Sequence, residues 1–164
     1  MNLTIERFAV ACAFLFIALQ VSEGFKNKEE ERAEQQRPDV ACLADNIYHE
    51  ARGESEQGRL AVAFVTWARA NETVEQLCDT VWRPHQFSWT GNKVYVTDDA
   101  AYKEAVRLAW AVVKGKVANP VPGATHFHAT HVKPYWIKHS QKIQRIGNHV
   151  FYKPKERKNG SSKA

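Results

Sequence analysis

The stretch Pro38-Asp39-Val40-Ala41-Cys42-Leu43-Ala44-Asp45-Asn46-Ile47-Tyr48-His49-Glu50-Ala51-Arg52-Gly53-Glu54 decides how the rest of the chain is read. Val40, Leu43, Ala44, Ile47 and Tyr48 recur at a spacing of three and four, which predicts a helix that buries one side. Pro38 and Asp39 suit its start, because proline holds a helical φ where no intrahelical N–H bond is lost, and Gly53 predicts its end. Glu50 and Glu54 are four apart and share a face for as long as the helix lasts. Negative side chains near a helix C-terminus run against the helix dipole. Taken alone, the pair is either a general acid with a helper or a solvated helix end.

Working outward, residues 57–71 predict a second helix. Its Leu60, Val62, Ala63, Phe64, Val65 and Trp67 are too continuous for a surface helix and indicate a core element. A third helix is expected over residues 98–114, opened by Thr97 as a cap and closed by Gly115. Short aromatic and β-branched runs at 93–96, 125–128 and 149–152 are flanked by Gly91-Asn92, Pro122-Gly123 and Gly147-Asn148. They predict a small antiparallel sheet, so the expected fold class is α+β, mostly helical. With 164 residues the chain has room for one globular domain, placed here at residues 40–152.

The ends read differently. An apolar run over residues 8–21 follows a short head carrying Arg7, with Ser22-Glu23-Gly24 behind it. That is the layout of a secretory signal, shorter than the roughly 20 residues that cross a bilayer as a relaxed helix. Residues 1–24 are therefore expected to export the chain, with an uncleaved signal-anchor or a buried helix as the alternatives. Residues 25–39 read as a charged, solvated linker, and residues 153–164 as a basic disordered tail. Cys12 lies in the apolar run, which leaves Cys42 and Cys78 either as a disulfide pair or as two buried thiols. Exchange of Cys12 with that pair is a further reading. A formal net charge of +5 favours polyanionic partners without choosing between nucleic acid, anionic membrane and cell wall.

The chemistry concentrates around Tyr48-His49-Glu50-Ala51-Arg52-Gly53-Glu54. Elsewhere Gln86-Phe87-Ser88-Trp89 and Pro134-Tyr135-Trp136 offer aromatic rings suited either to the faces of sugars or to a core. An apolar wall beside a carboxyl group disfavours its ionised form, so that it can donate a proton near neutral pH. The sequence from Cys42 through Glu54, then Gly58-Arg59-Leu60-Ala61-Val62-Ala63, Gln86-Phe87-Ser88-Trp89, Gly123-Ala124-Thr125-His126-Phe127-His128-Ala129, Pro134-Tyr135-Trp136 and Ile146-Gly147-Asn148-His149-Val150-Phe151-Tyr152, resembles the SleB-type cell-wall hydrolase family in order and spacing. The resemblance covers residues 40–152.

It implies a lysozyme-like fold and action on peptidoglycan between N-acetylmuramic acid and N-acetylglucosamine, as a lytic transglycosylase in preference to a hydrolysing muramidase. The first glutamate of the family's Glu-Ala-Arg-Gly-Glu block, its catalytic acid, falls on Glu50. Gln86, Ser88, Thr125 and His128 are then candidates to hydrogen-bond sugar groups, and Phe87, Trp89, Phe127, Tyr135 and Trp136 to stack on rings, with core packing as the alternative for each aromatic. Glu54 is expected to hold its loop or pair with Arg52. No cofactor or metal is implied, the partner is the glycan strand, and a monomer is expected.

One region departs from the family. Members carry an Asn-Arg pair late in the second helix, where this chain has Thr66-Trp67-Ala68-Arg69-Ala70-Asn71, and Arg69 is the candidate for the retained arginine. No cortex-binding repeat precedes the domain, so the spore role is not carried over; a catalytic domain behind an export signal is also the build of a phage lysis enzyme. Two rivals remain. His126, His128, His131, His139 and His149 with Glu50 could serve a zinc amidase or peptidase, but no His-Glu-x-x-His motif occurs, and residues two apart on a strand supply no third ligand. A non-catalytic wall-binding module would use the same aromatics and positive charge. Nucleic acid is disfavoured, because the basic residues gather in the tail and the signal leads out of the cytoplasm.

Overall fold

The computed structural model describes residues 37–155. The expected export segment, Cys12, nearly all of the charged linker and most of the basic tail lie outside them. Within them, helix α1 spans Pro38–Ala51, α2 Glu56–Arg69, the short α3 Leu77–Val81 and α4 Asp99–Val113. Strands β1 (His126–Ala129), β2 (Ser140–Ile146) and β3 (His149–Pro154) form an antiparallel sheet in the order β1-β3-β2. The α+β class expected from the sequence is the one observed. Among the described residues no helix is long and apolar enough to cross a membrane.

α1 is the central element and packs against α2, α3 and α4. Leu43, Ala44 and Ile47 are fully buried and Tyr48 nearly so, as their spacing predicted. Burial of each large side chain stabilises by about 1.5–3 kcal/mol. Tyr48 also acts at a distance, since its hydroxyl accepts the N–H groups of Thr97 and Asp98, both at 3.1 Å. That contact corrects the expected cap of the third helix: Thr97 is engaged by Tyr48, and it is Asp98 whose carboxylate accepts Ala101 N–H at 3.0 Å. α2 is capped by Ser55, whose hydroxyl accepts Gly58 N–H, and it stops before Ala70, two residues short of the expected end.

Two sheet expectations need correction. Residues 93–96 form no strand; they are exposed, pair with none of the strands, and lead into the Tyr48 contact at Thr97. The third strand is instead β2. Its exposed Gln141 and Lys142 and a register shift between Lys142 and Gln144 break the alternation that would have marked it. Cys42 and Cys78 form a disulfide that ties α1 to α3. Closing a loop with a separation of 36 residues stabilises by about 3–4 kcal/mol.

Candidate functional site

Glu50 sits in the last turn of α1, half-buried, where α2, the loop after α3 and the sheet meet. An open cleft of ≈ 380 Å³ is lined there by Glu50, Arg69, Gln86, Phe87, Ser88, Phe127, His128, Ala129, His131, Val132 and His149. Glu50 is the one carboxylate among them. Burial pushes its pKa up, and the charge of Arg69 partly offsets this; the C-terminal end of the α1 dipole acts in the same direction as burial. The acid is thus held toward its protonated form.

Arg69 reaches the cleft from the end of α2. Its Nε donates to Thr125 O at 2.7 Å, and its guanidinium lies 5.3 Å from the Phe87 ring centroid and 5.9 Å from that of Phe127. Burial lowers its pKa to about 10, which still leaves it charged at neutral pH. Removing that charge raises the pKa of Glu50 further. In Arg69→Met, the alkaline limb of a pH–rate profile is therefore expected to move to higher pH, while the rate at the optimum falls about 10–100-fold through lost positioning. Arg69→Lys, which keeps a cation, is expected to hold the limb nearer its parental place.

The structure brings Glu50, Gln86, Phe87, Ser88, Phe127 and His128 together, as the sequence suggested, and separates four others from the cleft. Trp89 is buried, donates from Nε1 to Asn46 Oδ1 at 3.0 Å and stacks on His49. It is a core residue, because Asn46, itself fully buried and bonded to Thr66 Oγ1, needs that donor. Thr125 is occupied locally: its carbonyl receives Arg69 and its hydroxyl meets His126 Nδ1 at 2.8 Å. Trp136 packs on His126, His128 and Tyr152 and is not among the residues lining the cleft. Tyr135 beside it is 84% exposed and touches none of these rings.

Glu54 and Arg52 also part company. The Glu54 carboxylate accepts Asn148 N–H and Asn148 Nδ2 at 3.2 and 3.0 Å, so it holds the turn between β2 and β3. The loop it holds belongs to the sheet and is not the one beside Gly53. Arg52 lies over the Tyr48 ring at 5.0 Å instead of pairing with Glu54. His149, at the start of β3, is buried, with Nδ1 3.9 Å from Glu54 Oε1, and burial lowers its pKa. Among the described residues no three His, Cys, Asp or Glu side chains converge as a metal site. His128 instead meets Ala129 O and the Tyr152 hydroxyl. Arg69, Ala129, His131, Val132 and His149 also line the cleft and were not among the expected sugar contacts; Arg69 carried a signal through its place in the Asn-Arg region, and His131 and His149 through the histidine cluster weighed for zinc, whereas Val132 carried none.

Four helices and a three-stranded sheet that meet around one carboxyl group have the architecture of the SleB catalytic domains. The structure is similar to that of the Bacillus cereus SleB catalytic domain (TM-score 0.55, 28% identity, 70% of this chain and 89% of that one). It is likewise similar to the catalytic domain of a germination-specific lytic transglycosylase, SleB, from Bacillus anthracis (TM-score 0.56, 26% identity, 72% of this chain and 96% of that one). The chain belongs to the Cell Wall Hydrolase family, whose model matches residues 53–152. Glu50 lies just ahead of the matched residues. Among curated proteins it is similar to the spore cortex-lytic enzymes of Halalkalibacterium halodurans, 32% identical over 117 residues, and of Bacillus subtilis, 27% identical over 139. Those matches cover 69% and 82% of this chain and span 34% and 41% of the relatives' lengths.

Proposed function

We propose that this chain is a lytic transglycosylase that cuts peptidoglycan between N-acetylmuramic acid and N-acetylglucosamine, with Glu50 as its acid and base. The observation that carries the reading is the single carboxylate in the cleft. Hydrolysing glycosidases generally flank the bond with two carboxylates about 5–10 Å apart, and here the nearest candidate in sequence, Glu54, is committed to Asn148. A lone acid suffices when the substrate supplies the nucleophile. Protonated Glu50 gives its proton to the linking oxygen, the C1–O bond breaks with its electron pair going to that oxygen, and positive charge develops at C1 of the muramic acid. Glu50, now a carboxylate, takes the proton of the same sugar's 6-hydroxyl as that oxygen bonds to C1, closing a 1,6-anhydro ring.

The relative described as a lytic transglycosylase supports this outcome, and the disulfide fits work outside the cytoplasm, where thiols oxidise. In this reading Gln86 and Ser88 meet acetamido and hydroxyl groups, Phe87 and Phe127 form the apolar wall, His128, with both ring nitrogens taken by Ala129 O and the Tyr152 hydroxyl, supports that wall, and the protein acts as a monomer without a cofactor. Positive charge favours the anionic wall. Mass spectrometry of fragments released from purified sacculi tests it: anhydro ends, one water lighter than reducing ends, are expected as the main product. Reducing ends throughout would replace the transglycosylase by a muramidase.

A further inference from the structure

Beside the Glu50 cleft lies a larger hollow of ≈ 590 Å³, lined by Trp82, Pro84, His85, Phe87, Ser88, Thr90 and Gly91. No carboxylate lines it, so it is not a second reaction centre. Phe87 and Ser88 border both hollows, so the two lie side by side. Trp82 stands in it 51% exposed, while Trp89, its neighbour in the fold, is buried.

The exposed ring is held firmly. Trp82 meets Trp89 edge-to-face at 5.2 Å, Trp89 stacks on His49 at 4.5 Å, and Asn46 fixes Trp89 by its indole N–H. Two side chains of α1 therefore set the position of a ring outside the core. From below, Trp82 closes α3, its N–H donating to Cys78 O at 2.9 Å. A helix of five residues is too short to hold itself, and the Cys42–Cys78 disulfide staples it to α1 four residues before the ring. Beyond Trp82 the chain turns back through His85, at φ 63°, to bring Phe87 to the boundary of the two hollows. A rigid, half-exposed indole in a roomy depression suits the flat apolar face of a pyranose ring.

We infer that Trp82 is the platform of an additional sugar subsite, which holds N-acetylated sugar residues of the glycan strand beyond those next to the bond cut at Glu50. This rests on the glycosidase reading, and it assigns the disulfide a positioning role: it sets the angle of the platform. The consequence is a preference for long strands over short ones.

The test separates binding from cutting. In the full chain carrying Glu50→Gln, calorimetry with N-acetylglucosamine oligomers of about two and six sugars is expected to show tighter binding of the longer one. Adding Trp82→Ala is expected to weaken the longer oligomer about tenfold and the shorter one little, while Trp82→Phe retains most of the gain. Reduction of the disulfide is expected to reproduce part of the Trp82→Ala loss. A length gain that survives Trp82→Ala, or a parent that binds both oligomers equally, overturns the subsite. Neither result touches the role of Glu50, which is tested by fragment release from walls.

Discussion

Glu50→Gln is expected to lower the rate of glycan release from isolated walls by about 10²–10⁴-fold, the usual worth of a positioned general acid, while leaving wall binding in place. The substitution is nearly isosteric and keeps the polar volume at the end of α1, so its effect reports on the proton and not on packing. The same change is expected to stabilise the fold at neutral pH. Burial raises the pKa of Glu50 in the folded protein, so the native state binds that proton more tightly than the unfolded chain does. Stability therefore falls as pH rises from the ordinary carboxylate range through the raised folded value, and the penalty is complete above it. Glutamine carries no such penalty. Thermal melts across pH are expected to show the variant gaining on the parent as pH rises and matching it most closely in acid. Parental lysis by the variant would dismiss Glu50 as the acid; a variant less stable at neutral than at acid pH, relative to the parent, would dismiss the burial argument.

The end of α1 that carries Glu50 was readable in the sequence, while its surroundings were less so. The period of Val40, Leu43, Ala44, Ile47 and Tyr48 is a local signal, and it places Glu50 at a helix end without knowledge of any other element. The cleft walls depend on distant partners. Trp89 and Trp82 are both tryptophans in the same short segment, yet one is core and the other faces solvent, because Asn46, 43 residues away from Trp89, takes the indole N–H of the first. Nothing in the local pattern distinguishes them. Arg69 is similar: the sequence marks it as the candidate for the family's retained arginine, but its approach to Glu50 follows from a hydrogen bond to Thr125 O, 56 residues away. β2 was missed for a different reason, since its bulge destroys the alternation by which a strand is recognised, whereas β1 and β3 kept their aromatic and β-branched runs.

The turn at Gly147 shows how strongly one such distant contact is built in. Gly147 has φ 54°, and a Cβ placed there would lie 1.8 Å from Glu54 Oε2. Gly147→Ala therefore imposes two costs. The left-handed backbone disfavours any side chain by about 1–2 kcal/mol. The carboxylate of Glu54 must also swing away and lose its bonds to Asn148, where hydrogen bonds to a charged group contribute roughly 1.5–3 kcal/mol. A total loss of about 2–5 kcal/mol is expected in urea denaturation with the disulfide intact. The second cost has a distinctive property, because it vanishes once Glu54 is already gone. In a Glu54→Ala background, Gly147→Ala is expected to cost only the backbone part, about 1–2 kcal/mol, so the double variant is more stable than the sum of the singles predicts. Activity is expected to fall with either single change, since the turn sets the start of β3 and with it His149 on one cleft wall and, through the β1 pairing, Phe127 and Ala129. Strict additivity of the two substitutions would show that Glu54 does not clamp the sheet to the end of α1, and the second glutamate of the Glu-Ala-Arg-Gly-Glu block would need another purpose.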